Sequence, residues 1–327
     1  MKAVHYGYLL TPTSDGRMSA FVDGALGIDD AGRIVYAGPR RNLAPIPAGV
    51  VVYNHGRKVL CPGFVDLHVH LPQIRARARV RGELLDWLNS EIYPAELAFA
   101  SADYAEACAR SFVSECVRNG VTTTVSFLTV HEEAADRAFQ VVADSGLRAI
   151  MGAVQMERNG PEDLLVERKA ALATAERLAG FWHGFDGHRI QYALTPRFAI
   201  SCGKEMLADL GRMKSENPSL FVHTHLSEQI PECEEVRRLF PGAIDYLNVY
   251  EDAGLVGPRS IFAHCIHLSD REISSLVSLG AGVAHCPSSN FFLKSGRYPW
   301  DRMVDAGVKF GLGSHVAAGP EMSPFKV

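Results

Sequence analysis

Eight short apolar runs, separated by amphipathic segments, set the tightest limit on what this chain can fold into. They fall at residues 64–68, 122–127, 149–155, 190–194, 220–225, 260–263, 282–285 and 309–312. Between them lie helix-like segments at 104–117, 133–145, 164–178, 205–214, 270–279 and 301–306. Eight strands with interleaved helices predict an α/β fold, a (β/α)8 barrel of the TIM type. An open doubly wound sheet is the alternative, but no Gly-x-Gly-x-x-Gly turn follows the first strand. No repeat at a solenoid period and no low-complexity segment competes with this reading.

Residues 1–60 have a different texture, that of short strands with tight turns. Residues 24–28 and 33–37 predict a β-hairpin around Asp29-Asp30-Ala31-Gly32. Residues 50–53 and 58–60 add further strand, and Cys61-Pro62-Gly63 breaks the pattern. The expected organisation is a small β domain over 1–60 and a barrel over 61–327.

Composition excludes several classes of function. The net charge is −4, so no general field favours nucleic acid. The seven cysteines are scattered without a Cys-x-x-Cys pair, which argues for a reducing compartment and against a disulfide framework. No secretory signal and no apolar stretch long enough for a bilayer is present, so a cytoplasmic location without membrane contact is expected.

Barrel sites lie at the C-terminal ends of the strands, and the polar residues there are unusual. The first strand ends in His68-Val69-His70, two imidazoles that share a face because strand side chains alternate. The fourth leads into Thr195-Pro196-Arg197-Phe198. The fifth brings His223, His225 and Glu228, the sixth His264 and His267, the seventh His285 and then Pro287-Ser288-Ser289-Asn290, the eighth Ser314 and His315. Eight of the 13 histidines are thus placed at strand ends. Any one buried histidine is usually a hydrogen-bonded core residue, but such a concentration is hard to satisfy by packing and points to a metal. Zinc is the first choice for imidazole, with iron as the alternative.

His68-Val69-His70, Thr224-His225-Leu226-Ser227-Glu228, Ala263-His264-Cys265, Ala284-His285-Cys286-Pro287 and Gly311-Leu312-Gly313 resemble the amidohydrolase superfamily. Within it, five stretches are similar to the guanine deaminase group: Pro62-Gly63-Phe64-Val65-Asp66, Pro72-Gln73, Leu85-Asp86-Trp87-Leu88-Asn89, the run from Thr195 to Cys202, and the run from His264 to Ser269. The resemblance implies one zinc ion held by His68, His70 and His225, and a proton-shuttling carboxyl at Glu228. It also implies an assisting histidine at His264, and Gln73, Arg197 and Phe198 around a purine substrate. No lysine stands at the end of the fourth strand, which favours one metal over two. The resemblance further implies a homodimer.

Two departures qualify it. The resemblance implies aspartate after Gly311-Leu312-Gly313-Ser314, where this chain has His315. Histidine can ligate metal but brings no negative charge, so His315 is expected to keep the ion and to weaken the base that takes the proton from water. The sequence also stops just beyond the eighth strand, where the resemblance implies a last barrel helix and the other half of the β domain. Those parts are expected to be missing, which leaves a strand edge and apolar surface uncovered. Either the sequence is a fragment or another chain supplies the rest.

The expected reaction is hydrolysis of guanine to xanthine and ammonia. Alternatives are an aminohydrolase or chlorohydrolase acting on another purine, a pterin or a triazine, and an inactive zinc-binding fragment. The arginine run at Arg75, Arg77, Arg79 and Arg81 is read as an ion-paired or solvated edge, or as a contact for an anionic ligand or a second subunit.

Overall fold

The computed structural model describes residues 1–13, 15–77, 79 and 87–326. Met1–Gly63 and Phe64–Val327 form two units.

In the first unit, β1 (Ala3–Pro12), β2 (Met18–Ile28), β3 (Ile34–Pro39) and β4 (Val51–Leu60) form one sheet in the order β3-β2-β1-β4. The predicted hairpin is β2 and β3. Its turn is held by Asp29, whose carboxylate accepts from the N–H groups of Ala31 at 3.0 Å and Arg33 at 2.8 Å, while Gly32 takes φ +76°. The two expected strands at 50–53 and 58–60 are one strand, β4, running parallel to β1. His55-Gly56-Arg57 reads as an interruption in sequence, but it is a bulge in which Gly56 adopts φ +60°. Val22, Ile34, Val35, Val51, Val52 and Tyr53 are exposed on this sheet.

The second unit carries the predicted barrel. Its strands are β5 (Phe64–His70), β6 (Val121–Phe127), β7 (Arg148–Gly152), β8 (Val154–Gln155), β9 (Ile190–Pro196), β10 (Phe221–Leu226), β11 (Ser260–His264), β12 (Gly282–His285) and β13 (Lys309–Leu312). All pair in parallel, in the order β13-β12-β11-β10-β9-β7-β6-β5, with β8 beside β9. The expected run at 149–155 is split in two where β7 meets β9. There Gly152 passes so close that a Cβ on it would stand 2.0 Å from the Ala193 carbonyl oxygen.

Helices form where an apolar stripe coincides with a cap. Ala102–Arg118 starts at Ser101, whose side chain accepts from the Tyr104 N–H, and buries Ala105, Cys108, Ala109, Phe112 and Cys116 on one face. Asp270–Leu279 has a capping box, Ser269 with Glu272, and ends at Gly280 with φ +74°. The helix expected at 164–178 lies further on, at Arg168–Trp182. The chain before it folds back instead, with the Val166 N–H on the Met156 carbonyl at 2.9 Å. Ile230–Leu239, Tyr246–Asp252 and Pro287–Phe292 are additional helices. No helix among the described residues is long and apolar enough to cross a membrane.

Closure of the barrel brings the first and last strands together. His315 N–H donates to the His68 carbonyl at 2.8 Å, and His70 N–H donates to the Val316 carbonyl at 2.9 Å. Buried Asp66 pins the same seam by accepting from Ser314 N–H at 2.9 Å, the Ser314 hydroxyl at 2.5 Å and His68 N–H at 3.2 Å. Asp66→Ala leaves these buried donors without an acceptor and is expected to cost about 3 kcal/mol, each unmet donor being worth ~1–3 kcal/mol. Urea unfolding measures this, with Asp66→Asn falling between because it keeps one acceptor. A loss below ~1 kcal/mol would mean that the seam is held elsewhere.

Candidate metal centre

Two histidine pairs of identical spacing face each other across the barrel. β5 supplies His68 and His70, and β10 supplies His223 and His225, all four buried. His68 Nδ1 lies 2.7 Å from His223 Nε2, and His70 Nε2 lies 3.2 Å from His225 Nε2. The turn after β13 adds His315, whose ring stacks on His68 with centroids 4.7 Å apart. One ring nitrogen from each of His68, His70, His225 and His315 lies within 4.8 Å of the other three.

The outer nitrogens of three of these rings are tied. His68 is held by His223, His225 Nδ1–H donates to the Arg197 carbonyl at 2.6 Å, and His315 Nδ1 bonds the Ser289 hydroxyl. Such outer partners fix ring orientation and leave the inner nitrogen free for a metal. His68 Nε2 is buried with no partner, and the facing Nε2 atoms of His70 and His225 bring two ring nitrogens together. Burial first, then the neighbouring imidazoles, holds His68 and His70 well below the ordinary histidine range, and burial with His264 does the same for His225 and His315. All four are therefore neutral, the form that ligates. Nitrogens ~2 Å from one ion in a tetrahedron stand about 3.3 Å apart, so this set fits a zinc-like ion after small shifts.

Glu228 and His264 stand beside this set. Glu228 Oε2 is 3.4 Å from His264 Nε2, and the Ser295 hydroxyl donates to Oε1 at 3.3 Å. Burial pushes the Glu228 carboxyl up to about 8, with Ser295 opposing. Burial pushes His264 down to about 4 despite its Nδ1 bond to Asn290 Oδ1 at 2.9 Å. With Nδ1–H on Asn290, His264 Nε2 is left without a hydrogen-bond partner and faces the Glu228 carboxyl. The turns that deliver these side chains are strained. Ser227, His264, Cys265 and His315 take φ of 50°, 73°, 53° and 46°, and such conformations concentrate at functional sites.

A small pocket opens on the centre. His70, His225 and His315 form its metal side, Glu228, Gln73, Arg197 and Phe198 surround it, and Trp87 and Leu88 complete the wall. Every residue singled out in the sequence for catalysis, metal or substrate thus lies on the cavity or, for His68 and His264, in contact with residues on it. His267 and His285 are engaged elsewhere, His267 Nε2 with the Ser295 carbonyl at 2.8 Å and His285 stacked on Tyr298 at 4.3 Å. Arg75 lies over the Tyr104 ring and Arg77 pairs with Glu115 at 3.3 Å, an ion-paired edge. Arg81, Leu85 and Asp86 fall outside the described residues.

Sequence reasoning placed His223, Ser289 and Asn290 at strand ends without giving them a role, and overlooked Glu96 and Ser295. The spacing of His223 and His225, which repeats that of His68 and His70, was the available signal for the first. Glu96 had none, because its partners are distant in sequence.

A histidine-rich metal set and a buried carboxyl at the mouth of a parallel barrel define a metal-dependent hydrolase. The chain belongs to the amidohydrolase family, whose model matches residues 59–323. Among its relatives, the guanine deaminase of Escherichia coli is 35% identical over 300 residues, spanning 91% of this chain and 68% of that protein. The probable guanine deaminase of Deinococcus radiodurans is 38% identical over 334 residues, 100% of this chain and 76% of that one. The structure of guanine deaminase from C. acetobutylicum with guanine in its active site superposes with a TM-score of 0.93 at 29% identity, covering 99% of this chain and 77% of that one.

Proposed function

We propose that the chain hydrolyses guanine to xanthine and ammonia, using one zinc ion held by His68, His70, His225 and His315. The observation that carries this reading is convergence: three of the four clustered imidazoles, the proton-bearing Glu228 and the pair Arg197 and Gln73 border one pocket. The similarity to guanine deaminases supports the choice of ring.

A bound ion supplies water acidified towards neutrality. The protein does the rest. Arg197 offers its guanidinium edge to the ring oxygen, and Gln73 its amide to the ring's polar edge. Phe198 and Trp87 cover the ring and keep bulk water out. Glu228, protonated near neutral pH, gives its proton to a ring nitrogen, regains one from the attacking water, passes it to the amine as the carbon–nitrogen bond breaks, and recovers the last from the added hydroxyl as the new carbonyl forms. His264 flanks this carboxyl, with Nε2 3.4 Å from it.

A second reading, metal binding with little turnover, is favoured by one observation: the metal set contains no carboxylate. One sample decides between them. Metal analysis is expected to give one equivalent of zinc per chain, and chelation to abolish xanthine formation, with zinc restoring it. Zinc without xanthine supports the second reading. Absence of both removes both, and iron in place of zinc corrects the metal alone.

A further inference from the structure

Behind the cavity wall, Glu96 joins the two residues proposed to read the purine. It sits on the short helix Tyr93–Leu97, and its side chain and that of Arg197 are each 3% exposed. Arg197 Nη1 donates to Glu96 Oε2 at 2.6 Å, and Gln73 Nε2 donates to Glu96 Oε1 at 2.7 Å. The far end of the Gln73 amide is also tied, its Oε1 accepting from Ala317 N–H at 3.2 Å. The Arg197 guanidinium lies 5.1 Å from the Tyr93 ring, on the same helix as Glu96.

We propose that Glu96 is a positioning residue that sets the ligand specificity of the cavity. The physical argument has three parts. First, one carboxylate shared by both side chains fixes which of their donors remain for a ligand. The amide orientation of Gln73 is no longer free, and Arg197 keeps the rest of its five donors in a fixed fork. Second, Glu96 balances the buried charge of Arg197, which would otherwise stand uncompensated beside a cationic metal set. The pair is neutral, so Arg197 adds no net charge to the cavity and meets a ligand through its directed donors. Third, an arginine already held in place loses little freedom on binding and favours a carbonyl oxygen over a bare ring edge.

The specificity that Glu96 sets is therefore for a ring oxygen, read through Arg197. This inference rests on the proposed function only for the identity of the ring. Its test uses probes that carry no amino group to release, hypoxanthine with a ring oxygen and unsubstituted purine without one. Calorimetric titration of the zinc-loaded chain is expected to show tighter binding of hypoxanthine. Glu96→Gln, which has the same shape without the charge, should weaken hypoxanthine by roughly 10–100-fold. It should weaken purine by less than about 3-fold, because purine has no oxygen for the fork to read. Glu96→Asp keeps the charge, withdraws it by one methylene, and should fall between; it carries the same comparison if Glu96→Gln does not fold. Equal losses for both ligands would mean a merely structural role and overturn the proposal, as would an unchanged hypoxanthine affinity or a wild-type chain that does not distinguish the two. A chain that keeps the hypoxanthine preference but forms no xanthine overturns the functional reading and leaves this inference standing.

Discussion

His315→Asp is expected to raise the rate of xanthine formation by about 10²-fold, the low end of what a positioned general base contributes. The reason lies in where protons can go. In the present site the four candidate ligands are neutral imidazoles, and each nitrogen of His315 is committed, Nδ1 to Ser289 and the other to the metal set. His264 is a weak base, pushed down to about 4 by burial, and Glu228 can take the proton of water only after giving its own to the ring. A carboxylate at 315 has a second oxygen, so it can touch the metal and still accept a proton. The backbone permits the change, since aspartate is among the few residues tolerated at the φ of 46° found there. The Ser289 hydroxyl can donate to the new carboxylate as it now bonds the ring. The smaller side chain leaves some space, for which about 1 kcal/mol of stability is a fair cost. Zinc content should stay at one equivalent. An unchanged rate with zinc retained would show that the missing carboxylate does not limit this chain.

The sequence exposed the frame of the molecule because the frame is periodic. β12 begins and ends where its apolar run does, since a largely buried strand has a sharp boundary in sequence. The helix Asp270–Leu279 was equally legible, with its capping box and terminal glycine both written in the chain. Candidate ligands on strand ends were legible too, because the i, i+2 rule puts His68 and His70 on one face without any tertiary knowledge. What stayed hidden depends on contacts between elements far apart in sequence. His223 bonds His68 across 155 positions, and Glu96 bonds Arg197 across 101. A lone glutamate in a short helix looks like a solvated one until its partners are placed. β4 was misread for a different reason, since a glycine inside a bulge has the same local signature as a glycine in a turn.

Glu228→Gln is the sharpest test of the proton path. It is expected to lower kcat by ~10²–10⁴-fold, in the wild-type chain or, where that rate is too low to follow, in the His315→Asp background. Glutamine keeps the shape of the side chain and an oxygen for the Ser295 hydroxyl, so packing and hypoxanthine binding should be preserved, as should the zinc content. What it removes is the transferable proton. No other carboxyl can take over the task. Glu232 is the nearest candidate, a buried carboxyl also pushed up, to about 7, by burial and by Glu228. Both its oxygens are committed: Oε2 accepts from the N–H groups of Glu228 at 2.8 Å and Gln229 at 3.0 Å, and Oε1 from the Tyr246 hydroxyl at 2.8 Å. It caps the helix Ile230–Leu239 and does not line the cavity, so it fixes the backbone that carries Glu228 without reaching the ring. A fall confined to kcat with KM unchanged assigns Glu228 to the chemical step. A fall of less than ~10-fold would mean that solvent or His264 carries the proton, and the path through Glu228 would have to be abandoned.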